Sequence, residues 1–128
     1  HHIGIVVENI QKSLGELTKY LDFESTTMPS LVGSQKVNIC FLKTNNVFLE
    51  LIEPAEENSP ISDFIKKGGG FHHLCFEVDD INNAINELKE SNIQVLSDNP
   101  TTGAEGYKVV FIHPKSTGGV LDELAEKP

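Results

Sequence analysis

The stretch from His2, HIGIVVENIQKSLGELTKYL, lies without gaps over the stretch from His73, HLCFEVDDINNAINELKESN, at a shift of 71 residues. Under that shift His2 meets His73, Val7 meets Val78, Ile10 meets Ile81, Leu14 meets Ile85, Glu16 meets Glu87 and Leu17 meets Leu88. A chain that holds one supersecondary unit twice is confined to folds made of two such units. Each copy opens on an apolar segment of strand length. A polar residue suited to cap a helix follows, Asn9 or Asp80. Apolar residues then recur at helical spacing, at Ile10, Leu14, Leu17 and Leu21 in one copy and at Ile81, Ile85 and Leu88 in the other.

The copies also end alike. VFLELIEP, around Glu50, resembles VLDELAEKP, around Glu123, at a shift of 73, so the second copy has gained two residues. Between these anchors KVNICFL (36–42), IQVL (93–96) and KVVFI (108–112) read as strands. Each half is therefore predicted as a strand, a helix and three further strands. The connecting NSPISDFIKKGGG predicts a short helix capped by Ser59 with Pro60 in its first turn. Gly68, Gly69 and Gly70 are expected to form a flexible hinge. At 128 residues the chain is expected to form a single domain. Its first module covers about 1–56, the connector about 57–70 and the second module about 71–128. A His-His opening suggests a purification tag, but the repeat starts its second copy with His-His too, so His2 reads as part of the fold.

Charge narrows the partners. A net charge of −9 excludes nucleic acid, which is bound through clustered cations. It leaves room for an anionic substrate, because a metal or a local lysine overrides the global field. No apolar run approaches the roughly 20 residues of a membrane span, and no signal-peptide pattern opens the chain, so a cytoplasmic protein is expected. Cys40 and Cys75, each in an apolar stretch, read as buried thiols rather than a disulfide framework.

The repeat gives His2, Glu50, His73 and Glu123 equivalent places, two histidines opening first strands and two glutamates in last strands. If the modules pack about a pseudo-twofold axis, all four side chains converge. Two imidazoles and two carboxylates make a mixed nitrogen and oxygen site suited to one divalent ion, Co, Ni, Mn or Zn, with coordination positions left for water or substrate. A single histidine near a strand is more often a packed or hydrogen-bonded residue. A lone Glu can be the solvent-facing member of an alternating strand. Glu50, however, sits among Phe48, Leu49, Leu51 and Ile52, where a carboxylate is costly to bury without a partner. His72 alternates to the other face from His73, His113 begins a loop that could touch substrate, and the run EPAEEN (53–58) reads as a solvated loop.

With its doubled strand–helix–three-strand module and its His…Glu…His…Glu set, the chain resembles the vicinal oxygen chelate, or glyoxalase/bleomycin-resistance, superfamily along essentially its whole length. Three stretches resemble the methylmalonyl-CoA epimerase group: ELIEPAEENSPISDFIKKGGGFHHLCFEVDDI (50–81), TTGAEGYKVVFIHPKSTGG (101–119) and GVLDEL (119–124). HPKSTGGVL is the most specific of them. The resemblance implies an α+β fold whose paired βαβββ modules form a cupped, half-open mixed sheet around a metal. It also implies a cytosolic homodimer acting on a short-chain acyl-CoA, with His2, Glu50, His73 and Glu123 at the metal-ligand positions. Glu123, alone or alternating with Glu50, would take the α-proton, while Lys115, Ser116 and His113 would bind substrate.

Two departures stand out. Asp122 occupies a place usually held by Val or Ile, and no acid falls near Asn38, Ile39 and Cys40, where a second catalytic carboxylate has been proposed for epimerases. Two other readings remain at this point. One is a glyoxalase I-type lactoylglutathione lyase acting on a thiol adduct; the other is a metal-free drug-binding protein.

Overall fold

The computed structural model describes all 128 residues. The chain divides into two compact units, His2–His72 and His73–Pro128, the latter joined by His1. The first unit contains β1 (His2–Val6), α1 (Ile10–Leu17), β2 (Ser25–Thr26), β3 (Ser30–Val32), β4 (Val37–Lys43), β5 (Phe48–Pro54) and α2 (Ser62–Lys66). β6 (Gly70–Val78) begins at its end and carries the chain into the second unit. There follow α3 (Ile81–Glu90), β7 (Thr101–Thr102), β8 (Lys108–Ile112) and β9 (Asp122–Glu126).

Within each unit the first strand pairs parallel with the last, β1 with β5 and β6 with β9. The remaining long strand adds antiparallel, β4 on β5 and β8 on β9. Short antiparallel strands finish the edges, β2 and β3 on β4, and β7 on β8. A parallel pair needs a long crossover, and α1 or α3 lies on it. The doubled module is the one that the repeat predicts, and the α+β class is the one that the family resemblance implies.

The two helices begin in the same way. Asn9 Oδ1 accepts from the Lys12 backbone N–H at 2.8 Å, and Asp80 Oδ1 from that of Asn83 at 2.9 Å. Each first helical N–H is taken by a glutamate of the last strand: Ile10 donates to Glu53 Oε2 and Ile81 to Glu126 Oε2, both at 2.8 Å. Four N–H groups at a helix start lack intrahelical acceptors, and a carboxylate there also meets the positive end of the helix dipole. Glu53 therefore belongs to β5 and ties down α1, which corrects its assignment to a solvated loop.

Alternation separates two faces in each unit. Leu49 and Leu51 of β5 pack with Ile10, Leu14 and Leu17 of α1 and with Cys40 and Leu42 of β4. Ile81 and Ile85 of α3 pack with Val110 of β8, Leu124 of β9 and Val78. The opposite face of the second unit gathers Cys75, Val109, Ala125 and Tyr107. Cys40 and Cys75 are both buried thiols, as expected.

Several local expectations differ from the structure. IQVL is not a strand and makes only one isolated bridge, Val95 to Ile112. The connecting helix starts at Ser62, with no side-chain cap. Ser59 is buried, its backbone carbonyl accepts from Ser62, and its Oγ has no hydrogen-bond partner. The three glycines expected to form a hinge all have positive φ, and Gly70 opens β6. At Gly69, φ +67°, a Cβ would fall 2.9 Å from the Val6 carbonyl oxygen, so the backbone passes where only glycine fits.

Candidate functional site

Parallel pairing of first and last strands is what brings a histidine to a glutamate. In the first unit His2 is in register with Phe48, two residues before Glu50 on the same face of β5. In the second, Leu74 is in register with Asp122. One residue earlier, His73 of β6 stands beside Leu121, which precedes β9 and whose carbonyl accepts from the Leu74 N–H at 3.1 Å, again two residues before the glutamate. Diagonal neighbours on one sheet face lie within reach of long side chains. His2 Nε2 is 3.4 Å from Glu50 Oε1, and His73 Nε2 is 3.5 Å from Glu123 Oε1.

All four residues are buried. His2 and Glu50 are each 6% exposed, His73 3% and Glu123 5%. Carboxylates at this depth need a compensating charge or donor. The separations exceed the roughly 2.7–2.9 Å of a strong charge-assisted hydrogen bond. Two ligand atoms bonded at about 2.1 Å to one ion lie about 3.0–3.4 Å apart for angles between octahedral and tetrahedral. Each pair therefore has the donor chemistry and nearly the span of two ligands sharing a divalent cation.

Each pair is completed by one residue that the sequence did not single out. Phe41 on β4 is in register with Glu50, and Phe111 on β8 with Glu123. The Phe41 ring stands at 69° to the His2 imidazole with centroids 5.4 Å apart; Phe111 stands at 85° to His73 at 5.7 Å. The signal was available, because NICF and KVVF carry Phe at equivalent places, 70 residues apart. It was hidden because an alternating apolar strand does not say which ring meets which histidine.

The turn expected to bind substrate is a single 3-10 turn, Pro114–Ser116, flanked by His113. His113 Nδ1 accepts from the Lys115 backbone N–H at 3.0 Å, and Ser116 Oγ accepts from that of Gln94 at 3.1 Å. Both side chains thus shape the loop, while Lys115 is exposed. His72 packs against Phe64, ring centroids 5.1 Å apart. Asp122 opens β9 on the face shared with Leu124, and its Oδ1 is buried without a hydrogen-bond partner.

Doubled βαβββ modules, each with a buried ligand-type His–Glu pair on its parallel strands, define a known class of folds. The profile of the Glyoxalase/Bleomycin resistance protein/Dioxygenase superfamily matches residues 1–111, and the chain belongs to that superfamily. Within it, the chain is 40% identical to the mitochondrial methylmalonyl-CoA epimerase of Dictyostelium discoideum, over 99% of this chain and 77% of that one. It is 36% identical to an ethylmalonyl-CoA/methylmalonyl-CoA epimerase of Cereibacter sphaeroides, over 98% of this chain and 96% of that one. Among solved structures, a variant of Streptomyces coelicolor methylmalonyl-CoA epimerase in complex with 2-nitronate-propionyl-CoA superposes with a TM-score of 0.90. That match has 29% identity and covers 98% of this chain and 92% of that one.

Proposed function

We propose that this chain is an isomerase that exchanges the α-proton of methylmalonyl-CoA or a closely related acyl-CoA. The observation that carries the reading is the pair of buried His–Glu couples at repeat-equivalent positions, together with epimerase relatives aligned along nearly the whole chain. In this reading the two modules act as one domain. His2, Glu50, His73 and Glu123 together hold one divalent ion, Co, Ni, Mn or Zn. The bound ion supplies Lewis-acid stabilisation of the negative charge that develops on the thioester oxygen as the α-proton leaves.

The chain's own residues do the rest. Epimerisation breaks one Cα–H bond and forms another on the opposite face, with no net change in composition. A carboxylate must accept the proton and an acid must return one. Glu123 is the assigned base, through the carboxyl oxygen other than the Oε1 that faces His73, with Glu50 as its alternate. Burial of both glutamates supports this role, since proton transfer is efficient where water does not compete. Lys115 is the assigned cation for the anionic part of the substrate. His113 and Ser116 hold the turn that presents it, as their hydrogen bonds support. The reading also implies a homodimer working in the cytoplasm. No helix is long and apolar enough to cross a membrane.

The test is direct. Metal-stripped protein is reloaded with Co²⁺ or Ni²⁺ and incubated with methylmalonyl-CoA in D₂O while the α-position is followed by NMR. Metal-dependent deuterium uptake above the blank is expected. A metal-loaded sample with no uptake would move the assignment to a glyoxalase-type or other isomerase.

A further inference from the structure

Each of the two histidines has more than its own glutamate beside it. Each is met edge-on, at 69° for His2 and 85° for His73, by a phenylalanine of the antiparallel strand beside the glutamate strand, and the two arrangements are repeat copies of one another. We propose that Phe41 and Phe111 are positioning residues for the ion site, each fixing the plane of the ligand imidazole on its own module. This inference rests on the metal-binding reading above and adds to it what keeps the ligands aimed.

The physical need is specific. The terminal torsion of a histidine is broad and roughly two-fold, so rotation about it is soft. Such rotation swings Nε2 off the direction of the glutamate oxygen, now 3.4 Å or 3.5 Å away. Groups beyond the ligands commonly supply that restraint, and losing them weakens metal affinity. Here a flat ring set on edge restrains the tilt of the imidazole, as perpendicular aromatic pairs do. In the first module Phe48 backs the arrangement, its ring 5.9 Å from that of Phe41 at 72°. The flanks of the two phenylalanines differ, Cys40 and Leu42 in one copy against Val110 and Ile112 in the other. An apolar core alone would accept Leu or Ile at either place; orienting an imidazole requires a ring.

The variants Phe41→Leu, Phe111→Leu and Phe111→Tyr separate orientation from filling. Co²⁺ affinity is measured by competition with a chelating dye, the visible ligand-field spectrum of the Co²⁺ form is recorded, and thermal unfolding is followed without metal. Each Leu variant is expected to bind Co²⁺ roughly two- to ten-fold more weakly and to show altered band positions or intensities. Phe111→Tyr, which keeps the ring, should restore both. Folded Leu variants with wild-type affinity and spectrum would overturn the proposal, and so would a Tyr variant as impaired as Leu. If Phe41→Leu does not fold, Phe111→Leu decides alone, because Phe111 is only partly buried. Wild-type protein that binds no Co²⁺ fails the metal reading itself, an outcome distinct from wild type that binds and Leu variants that bind equally.

Discussion

Glu123 carries the sharpest prediction at the scale of one residue. Its replacement by Gln keeps the shape and an oxygen ligand but removes the proton acceptor. Deuterium exchange at the α-carbon should fall by at least about 10²-fold while Co²⁺ still binds. Exchange at the wild-type rate would strip Glu123 of the role of base. Tyr107 offers a different kind of test. Its phenol pKa is raised above the usual value, first by burial, then by the charges of Glu77 and Glu105. The folded state therefore holds this proton more tightly than the unfolded chain. The stabilisation is complete below the unfolded pKa of about 10 and is lost as pH rises through the folded value. In urea titrations from pH 9 to 11, wild type should lose stability relative to Tyr107→Phe as pH rises; parallel curves would remove Tyr107 from the alkaline response. The two buried His–Glu pairs were readable in the sequence because the repeat aligned their residues. Phe41 and Phe111 were not, since strand register, which decides the neighbours, is set by pairing across the sheet.

At the scale of the element, the glutamates at 53 and 126 are the feature to perturb. Each accepts the first N–H of a helix from the strand beside it. Glu53→Ala or Glu126→Ala should cost about 1 kcal/mol, as losing a cap does, and should speed amide exchange in the first turn of α1 or α3 respectively. The Gln variants keep an acceptor and should lose less. Wild-type exchange rates in all four variants would show that the carboxylates are incidental to the helices. Sequence patterning located both helices and the long strands, because periodicity over five or more residues is a strong signal. It missed β2, β3 and β7, which are two or three residues long, and promoted IQVL to a strand it does not form. Ser59 misled as a cap because its place before Pro60 fits the rule, whereas the chain makes one more turn before the helix starts.

For the whole molecule, the proposed single ion is the feature to test. One shared ion predicts a stoichiometry of one per chain. His2→Ala and His73→Ala should then each abolish tight binding, rather than each removing half of it. Isothermal titration with Ni²⁺ distinguishes the cases, and two independent sites of equal affinity would break the shared-ion reading. Metal at 100 times its dissociation constant should also stabilise the fold by about 2.7 kcal/mol, seen as a rise in Tm that a chelator reverses. The doubled architecture was legible in the amino-acid order alone, since a gap-free self-alignment is independent of secondary-structure preference. The pairing of first strand with last was not, because nothing local to either strand announces a partner so far along the chain.

In β5 the proposed ligand Glu50 and the helix-binding Glu53 are three residues apart, an odd number, so they face opposite sides of the strand; Glu123 and Glu126 repeat this in β9. A slip of one residue in pairing reverses both at once. Glu50 would be driven into the apolar layer beneath α1, and Glu53 would lose the Ile10 N–H. A misregistered strand thus buries one carboxylate among hydrocarbon and deprives a helix of its anchor. The last strand of each module carries its own proofreading, in which the correct alignment is the one that leaves neither charge stranded.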